Sequence, residues 1–208
     1  VASGKNSCIL HYTENSSILK GGDLLLTDAA CEYQNYASDI TRTIPINGKF
    51  SPAQKTLYEL VLLAQKKAIA KCIVGNTLKD VHQTAVKTLS KGLIKIGLLK
   101  DNLKLVMKNE LYKKFYMHNT GHWMGLDVHD PSDYMTNGKP IILKPGMIFT
   151  VEPGLYIKAN KSVEKKFHNI GIRIEDDILI TKNGPEVLTS EAPKSVRDIE
   201  NLMKFKNE

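Results

Sequence analysis

The strongest constraint on how this chain can fold is the wide spacing of a few side chains able to hold metal ions. Asp28 and Asp39 bound the stretch Asp28-Ala29-Ala30-Cys31-Glu32-Tyr33-Gln34-Asn35-Tyr36-Ala37-Ser38-Asp39. His122 lies in Gly121-His122-Trp123-Met124-Gly125-Leu126-Asp127-Val128-His129-Asp130, Glu152 in Thr150-Val151-Glu152-Pro153-Gly154, and Glu175 in Gly171-Ile172-Arg173-Ile174-Glu175-Asp176. Four carboxylates and one imidazole are too few for two separate metal sites. They suffice for a pair of ions if two carboxylates are shared, the arrangement of a two-metal hydrolase. Taken singly, a carboxylate at a strand end is ordinarily a turn former or a surface charge, so the case rests on joint context. Asp28 and Glu152 each close a strongly apolar run of strand length. Asp39 and Glu175 fall within expected strands, where an unpaired charge facing a core costs several kcal/mol. Cations relieve that cost. Hard oxygen donors with one nitrogen suit Mn, Co, Zn or Fe, and no thiolate is needed.

The local patterns are those of a chain that opens in strands, passes through helices and returns to strands. Cys8 to Tyr12 reads as a short strand, Gly21-Gly22-Asp23 as a turn, and Leu24 to Ala30 and Tyr36 to Ile46 as two strands. A link near Glu32 to Asn35 makes a hairpin that would bring Asp28 and Asp39 together. Ser51-Pro52 caps a helix whose apolar stripe is Leu57, Leu60, Val61, Ala64, Ala68 and Ile69, stopped by Gly75-Asn76. Thr77 with Asp80 resembles a capping box for a second helix carrying Val81, Ala85, Leu89, Leu93 and Ile96, ended by Gly97. Leu143 to Met147 turns into the strand Ile148 to Glu152, and Gly171 to Glu175 and Asp177 to Ile180 alternate like sheet strands. Asn160 to Asn169 reads as an exposed loop, and a last helix spans roughly Ser195 to Phe205.

A length of 208 residues is enough for one domain with a proper core. No apolar run approaches the ~20 residues that cross a bilayer, and no signal peptide opens the chain; no membrane association is expected. The three cysteines, Cys8, Cys31 and Cys72, read as reduced, buried thiols of a cytoplasmic protein. The net charge of +7 raises the question of nucleic acid. The lysines fall in scattered pairs such as Lys66-Lys67, Lys113-Lys114 and Lys165-Lys166, with no aromatic stacking pattern beside them, so none is expected to bind. The chain begins with Val rather than Met, which fits processing or a piece of something longer.

Asp39-Ile40-Thr41-Arg42-Thr43, the following Asn47-Gly48-Lys49-Phe50, and Gly121-His122-Trp123 leading to Leu126-Asp127-Val128-His129-Asp130 resemble the proline-directed branch of the pita-bread metallopeptidases, the aminopeptidase P family most closely. The resemblance runs from Ser7 to about Val187. It implies an α+β pita-bread fold: a pseudo-twofold αβ duplication with a curved antiparallel sheet covered by helices. Residues 1–208 would form most of one catalytic domain. The first half's helical layer and the family's separate N-terminal domain would lie upstream of Val1, leaving an apolar sheet face uncovered.

The resemblance also implies roles. Asp28 would chelate one ion, His122 and Glu152 the other, and Asp39 and Glu175 would bridge two divalent ions, Mn²⁺ first among Mn, Co, Zn and Fe. A hydroxide between the ions would attack the bond between an N-terminal residue and a following proline. Glu152 would be the general base. His129 would bind the scissile carbonyl, with His118 beside it. His11 would line the proline pocket, and Tyr134 would contact substrate. Arg173 would hold a carboxylate of substrate or product, unless it forms an ion pair with a neighbouring acid. Thr41 would hydrogen-bond a metal ligand from the same sheet face. Pro131-Ser132-Asp133-Tyr134 replaces the Val-Gly that many relatives carry after this aspartate, which alters a loop near His129. The expected partners are peptides with proline second, and a homo-oligomer for the full-length protein. Prolidase, which takes Xaa-Pro dipeptides with the same ligands, is the nearest alternative. A pita-bread module that binds without catalysis is the more distant one.

Overall fold

The helices form where their caps say they should. In this computed structural model, which describes residues 1–204, β1 (Ala2–Ser3) is followed by β2 (Leu24–Ala29), β3 (Glu32–Tyr33), β4 (Tyr36–Ala37) and β5 (Ile40–Pro45). The helices α1 (Pro52–Ile69), α2 (Leu78–Lys95) and α3 (Leu103–Lys108) come next. Then follow β6 (Met135–Thr136), β7 (Lys139–Pro140), β8 (Ile148–Val151), β9 (Gly154–Ile157), β10 (Ile170–Arg173), β11 (Asp176–Thr181), β12 (Gly184–Val187) and α4 (Val196–Leu202). Ser51 and Gln54 close a reciprocal capping box at α1, and Thr77 and Asp80 close another at α2. Asp therefore completes the box despite its shorter reach.

The sheets are small and antiparallel. β2 lies between β1 and β5, β11 between β12 and β8, and β9 pairs with β10. α1 and α2 pack on them through two apolar clusters. One joins Leu57, Val61, Leu89 and Leu93 to Leu155, Ile157 and Ile172. The other joins Ala68, Cys72, Val81 and Ala85 to Trp123, Phe149, Val151 and Ile178.

Several expectations need correction. Cys8 to Tyr12 is not a strand: Gly4–Cys8 is a 3-10 turn, and His11 takes a left-handed φ of 52° that no strand accommodates. The long strand expected over Tyr36 to Ile46 is broken at Ser38-Asp39, so β3 and β4 form their own hairpin with Gln34 and Asn35 at positive φ. Asp39 consequently sits just before β5, and Glu175 sits in the break between β10 and β11; neither lies within a strand. α1 ends at Ile69, ahead of Gly75-Asn76. The short α3, capped by Asn102, has too few turns to show periodicity. Cys31 is exposed, while Cys8 and Cys72 are buried, and all three are free. The outer positions of β2 and β5, such as Leu25 and Ile44, are half-buried rather than bare. The expected helix end at Phe205 lies outside the described residues.

Gly121 shows how tightly the site is built. The segment Thr120 to Trp123 runs alongside β8: Thr150 N–H donates to His122 O at 3.0 Å, and Glu152 N–H donates to Thr120 O at 2.7 Å. A Cβ on Gly121 would lie 1.8 Å from Thr150 O. Gly121→Ala is expected to push this segment off β8, costing about 1–3 kcal/mol or more and misplacing His122. Thermal denaturation and Mn²⁺ titration of the variant read both effects.

Candidate metal centre

Asp28 and Thr41 face each other across the β2–β5 pair, and the turn before β5 returns Asp39 to their side. From the second half, the breaks after β8 and β10 deliver Glu152 and Glu175. The result is a cleft of about 620 Å³ that contains Asp28, Asp39, His122, Glu152 and Glu175 together with His11, His118, His129, Tyr134 and Arg173. The fold thus brings all five metal-capable residues and all the expected substrate-side residues to one place.

Two groups of donors have their ligand atoms within 4.8 Å of one another: Asp28, Asp39 and Glu175, and His122, Glu152 and Glu175. Glu175 belongs to both. A third group joins Asp39, His122 and His129. His122 Nε2 lies 3.4 Å from Asp39 Oδ2 and 3.6 Å from Glu152 Oε1, which ties the first half's ligands to the second's. His122 Nδ1 is 3.0 Å from Trp123 O. Carrying its proton there, the ring turns the Nε2 lone pair toward the carboxylates.

Thr41 organises the floor. Its hydroxyl donates to Glu175 Oε2 at 2.5 Å, with Asp28 Oδ1 at 3.2 Å, and accepts from Arg173 Nε at 2.9 Å. Arg173 is buried and pairs with Asp28 Oδ2 at 2.5 Å, the ion-pair alternative left open by the sequence. It also donates to the hydroxyl of Tyr156 at 3.3 Å. That hydroxyl lies 2.8 Å from His118 Nε2. Tyr156 was not singled out in the sequence. Its position four residues beyond Glu152, on a strand paired with the one bearing Arg173, is the signal that could have found it. His129 packs edge-on against His122 with ring centroids 4.2 Å apart and stands 6.0 Å from His11. Tyr134 accepts from Trp123 N–H at 3.3 Å and is half exposed at the cleft wall. His82 and His168 lie elsewhere, bonded to Thr120 Oγ1 and Val163 O.

The electrostatics ask for cations. Burial, aided by the Asp39 charge, pushes Glu152 up to about 7 against the opposing pull of His122 and Arg173. Burial and the Glu152 and Asp39 charges raise Glu175 well above the carboxylate range. Burial opposes the charged form of His122, but Asp39, the Trp123 carbonyl and the Glu152 charge together outweigh it and raise the imidazole above its ordinary value. Burial lowers His118 to about 4, so this ring is neutral at physiological pH. A cluster this rich in carboxylates, with one fully charged guanidinium beside it, fits two hard divalent ions in donor type and sharing pattern.

A pH dependence follows. The folded-state values of Glu152 and Glu175 lie above their unfolded ones, so the metal-free fold binds more protons than the unfolded chain. The stability they contribute is present at low pH and is lost as pH rises through about 7 at Glu152. Metal binding requires the ionised forms and strengthens over the same range. Thermal denaturation with EDTA or Mn²⁺ should show the metal-induced rise in midpoint larger at about pH 8 than at about pH 5.5. A gap that narrows with rising pH would contradict this.

Comparison with known proteins agrees with this geometry. The description of metallopeptidase family M24 matches residues 1–182. The chain is 49% identical to a Xaa-Pro aminopeptidase of Haemophilus influenzae over 205 residues, covering 99% of this chain and 47% of that protein. It is 46% identical to a Xaa-Pro aminopeptidase of Escherichia coli, covering 98% and 46%. The solved structure of Pseudomonas aeruginosa aminopeptidase PepP superposes with a TM-score of 0.96 at 51% identity, over 98% of this chain and 46% of that one. The chain therefore spans about half the length of these relatives. The α+β pita-bread expectation holds, with helices over open curved sheets. Among the described residues no helix is long and apolar enough to cross a membrane. On the match over residues 1–182 and these identities, the chain belongs to metallopeptidase family M24.

Proposed function

We propose that the protein is a Xaa-Pro aminopeptidase that works with two divalent cations, Mn²⁺ foremost and Co²⁺, Zn²⁺ or Fe²⁺ as substitutes. The observation that carries this reading is the pair of donor triads sharing Glu175 in a cleft rimmed by histidines. The printed names of the relatives support it. Asp28, Asp39 and Glu175 would hold one ion, and His122, Glu152, Glu175 and Asp39 the other. When bound, the ions would supply Lewis acidity and an acidified water.

The chain's own residues do the rest. Glu152 would take a proton at its carboxylate and return it to the leaving nitrogen. His118 directs Nδ1–H at Asn119 O, 2.7 Å away, so Nε2 accepts from Tyr156 and the neutral ring lies against Glu152. His129 offers a ring N–H to the scissile carbonyl oxygen as charge develops there. The bond before proline is a tertiary amide with no N–H. A peptidase that grips that N–H cannot use it; a site that grips the ring between His11, His129 and Tyr134 can. Arg173, engaged by Asp28, Thr41 and Tyr156, acts on substrate chiefly through Asp28.

Residues 1–208 make up most of one catalytic domain on this reading. The physiological partners are peptides with proline second, the full-length protein is a homo-oligomer, and its place is the cytoplasm, in keeping with three free thiols. Incubation of the purified protein and Mn²⁺ with Ala-Pro-Pro and Ala-Pro tests the activity. Release of alanine from the tripeptide supports the aminopeptidase. Cleavage of Ala-Pro alone would transfer the site to prolidase, and a folded protein that binds no metal would favour a binding module.

A further inference from the structure

Each half of the fold braces a metal-capable carboxylate belonging to the other half, through residues that lie outside the cleft. Glu175 comes from the break between β10 and β11, yet its backbone is held by β5. Its N–H donates to Thr41 O at 3.1 Å, and its carbonyl accepts from Arg42 Nη1 at 2.5 Å. Arg42 is itself fixed at every donor atom. Nη1 also reaches Thr41 O, Nη2 reaches Asp176 Oδ1 and Ala192 O, and Nε reaches Pro193 O. Asp39 comes from the turn before β5, yet its N–H donates to Asp177 Oδ2 of β11 at 3.2 Å.

Asp177 is the more telling of the two. Its side chain is 2% exposed, and its Oδ1 has no hydrogen-bond partner among the described residues. A buried carboxylate that keeps one lone-pair set unsatisfied is costly in a purely structural position, where an apolar side chain would serve. Its one side-chain hydrogen bond among the described residues goes to the backbone of Asp39.

We infer that Arg42 and Asp177 are reciprocal positioning residues that set the separation of Asp39 and Glu175, and so the spacing and relative affinity of the two ions those carboxylates share. Neither touches substrate. The inference rests on the two-cation reading of the site. Arg42 fixes Glu175 from the first half, and Asp177 fixes Asp39 from the second. Loss of either lets one shared carboxylate rotate toward a single ion, which weakens the pair more than it weakens the fold.

The test uses the metal-free protein, Mn²⁺ as the probe, calorimetric titration for the two affinities, and electron paramagnetic resonance for the spin coupling of the pair. Asp177→Ala and Arg42→Lys are expected to weaken at least one Mn²⁺ by about 10–100-fold and to replace the coupled-pair signal with that of separate ions. Asp177→Asn retains an acceptor for Asp39 N–H. It is expected to keep the coupled signal, which separates position from charge and guards against a misfolded alanine variant. Two Mn²⁺ bound by Asp177→Ala and Arg42→Lys with unchanged affinity and coupling, alongside only a lower melting midpoint, would overturn the inference. An unmutated protein that binds fewer than two Mn²⁺ would overturn the two-cation reading and this inference with it.

Discussion

Glu175→Gln is expected to lower activity by at least about 10³-fold while leaving the metal-free protein as stable as before or more so. Both halves of that result come from one position. Glu175 is the carboxylate common to the triads of Asp28 with Asp39 and of His122 with Glu152, so on the two-cation reading its loss would remove an oxygen from each ion. The ions' contribution to stabilising developing charge is several kcal/mol, and about 4 kcal/mol corresponds to roughly a thousandfold in rate. The amide keeps the shape of the side chain and can still accept from Thr41 Oγ1. Without metal, the native side chain is buried against Glu152 and Asp39 and must take up a proton to be accommodated there, a cost that the neutral amide does not carry. Calorimetric Mn²⁺ titration, alanine release from Ala-Pro-Pro, and thermal denaturation in EDTA measure the three quantities. A variant that still binds two ions tightly would remove Glu175 from its bridging role.

Asp176→Ala should produce the largest loss of stability. Asp176 is fully buried beside the cleft and gathers Arg42 at 2.7 Å, Lys194, Gln65 Nε2 at 2.8 Å and Thr189 Oγ1 at 2.8 Å. Through Lys194 and Thr189 it anchors the segment after β12, and through Gln65 it anchors α1. Alanine leaves two cations without their anion and takes from the buried Gln65 amide its closer acceptor, leaving Val151 O at 3.4 Å. Removing one partner of a buried pair costs about 3–5 kcal/mol. Arg42 and Lys194 retain some contact with solvent and recover part of this, so about 3 kcal/mol is expected. For a chain of this size that lowers the melting midpoint by about 6–12 °C. A shift below about 2 °C would mean that the network is ornamental to stability.

Much of this molecule is legible in its sequence because the relevant signals are local. The Ser51-Gln54 and Thr77-Asp80 boxes fix the starts of α1 and α2. The hairpin logic that joins Asp28 to the turn before β5 needs only two apolar runs and a link between them. What could not be read is set by partners distant in the chain. Asp39 and Glu175 lie outside the strands expected to carry them, with backbones held by Asp177 and Arg42 from opposite halves of the chain. Tyr156 joins the site only because β9 pairs with β10 and brings its hydroxyl to Arg173 and His118. Arg173 offers two chemically sensible partners to a reader of the sequence, and only the fold brings Asp28 to it. The Cys8 to Tyr12 segment has strand composition, but its backbone turns at His11 instead. The roles of individual residues rested throughout on the aminopeptidase P resemblance rather than on spacing.

The most direct test of a two-cation centre built from both halves is a crystal structure of the Mn²⁺-loaded protein with anomalous diffraction at the manganese edge. Two peaks about 3.5–4 Å apart are predicted, one among Asp28, Asp39 and Glu175, the other among His122, Glu152 and Glu175. A single peak, or ions held by His11, His118 or His129 with Glu175 bridging nothing, would contradict the account.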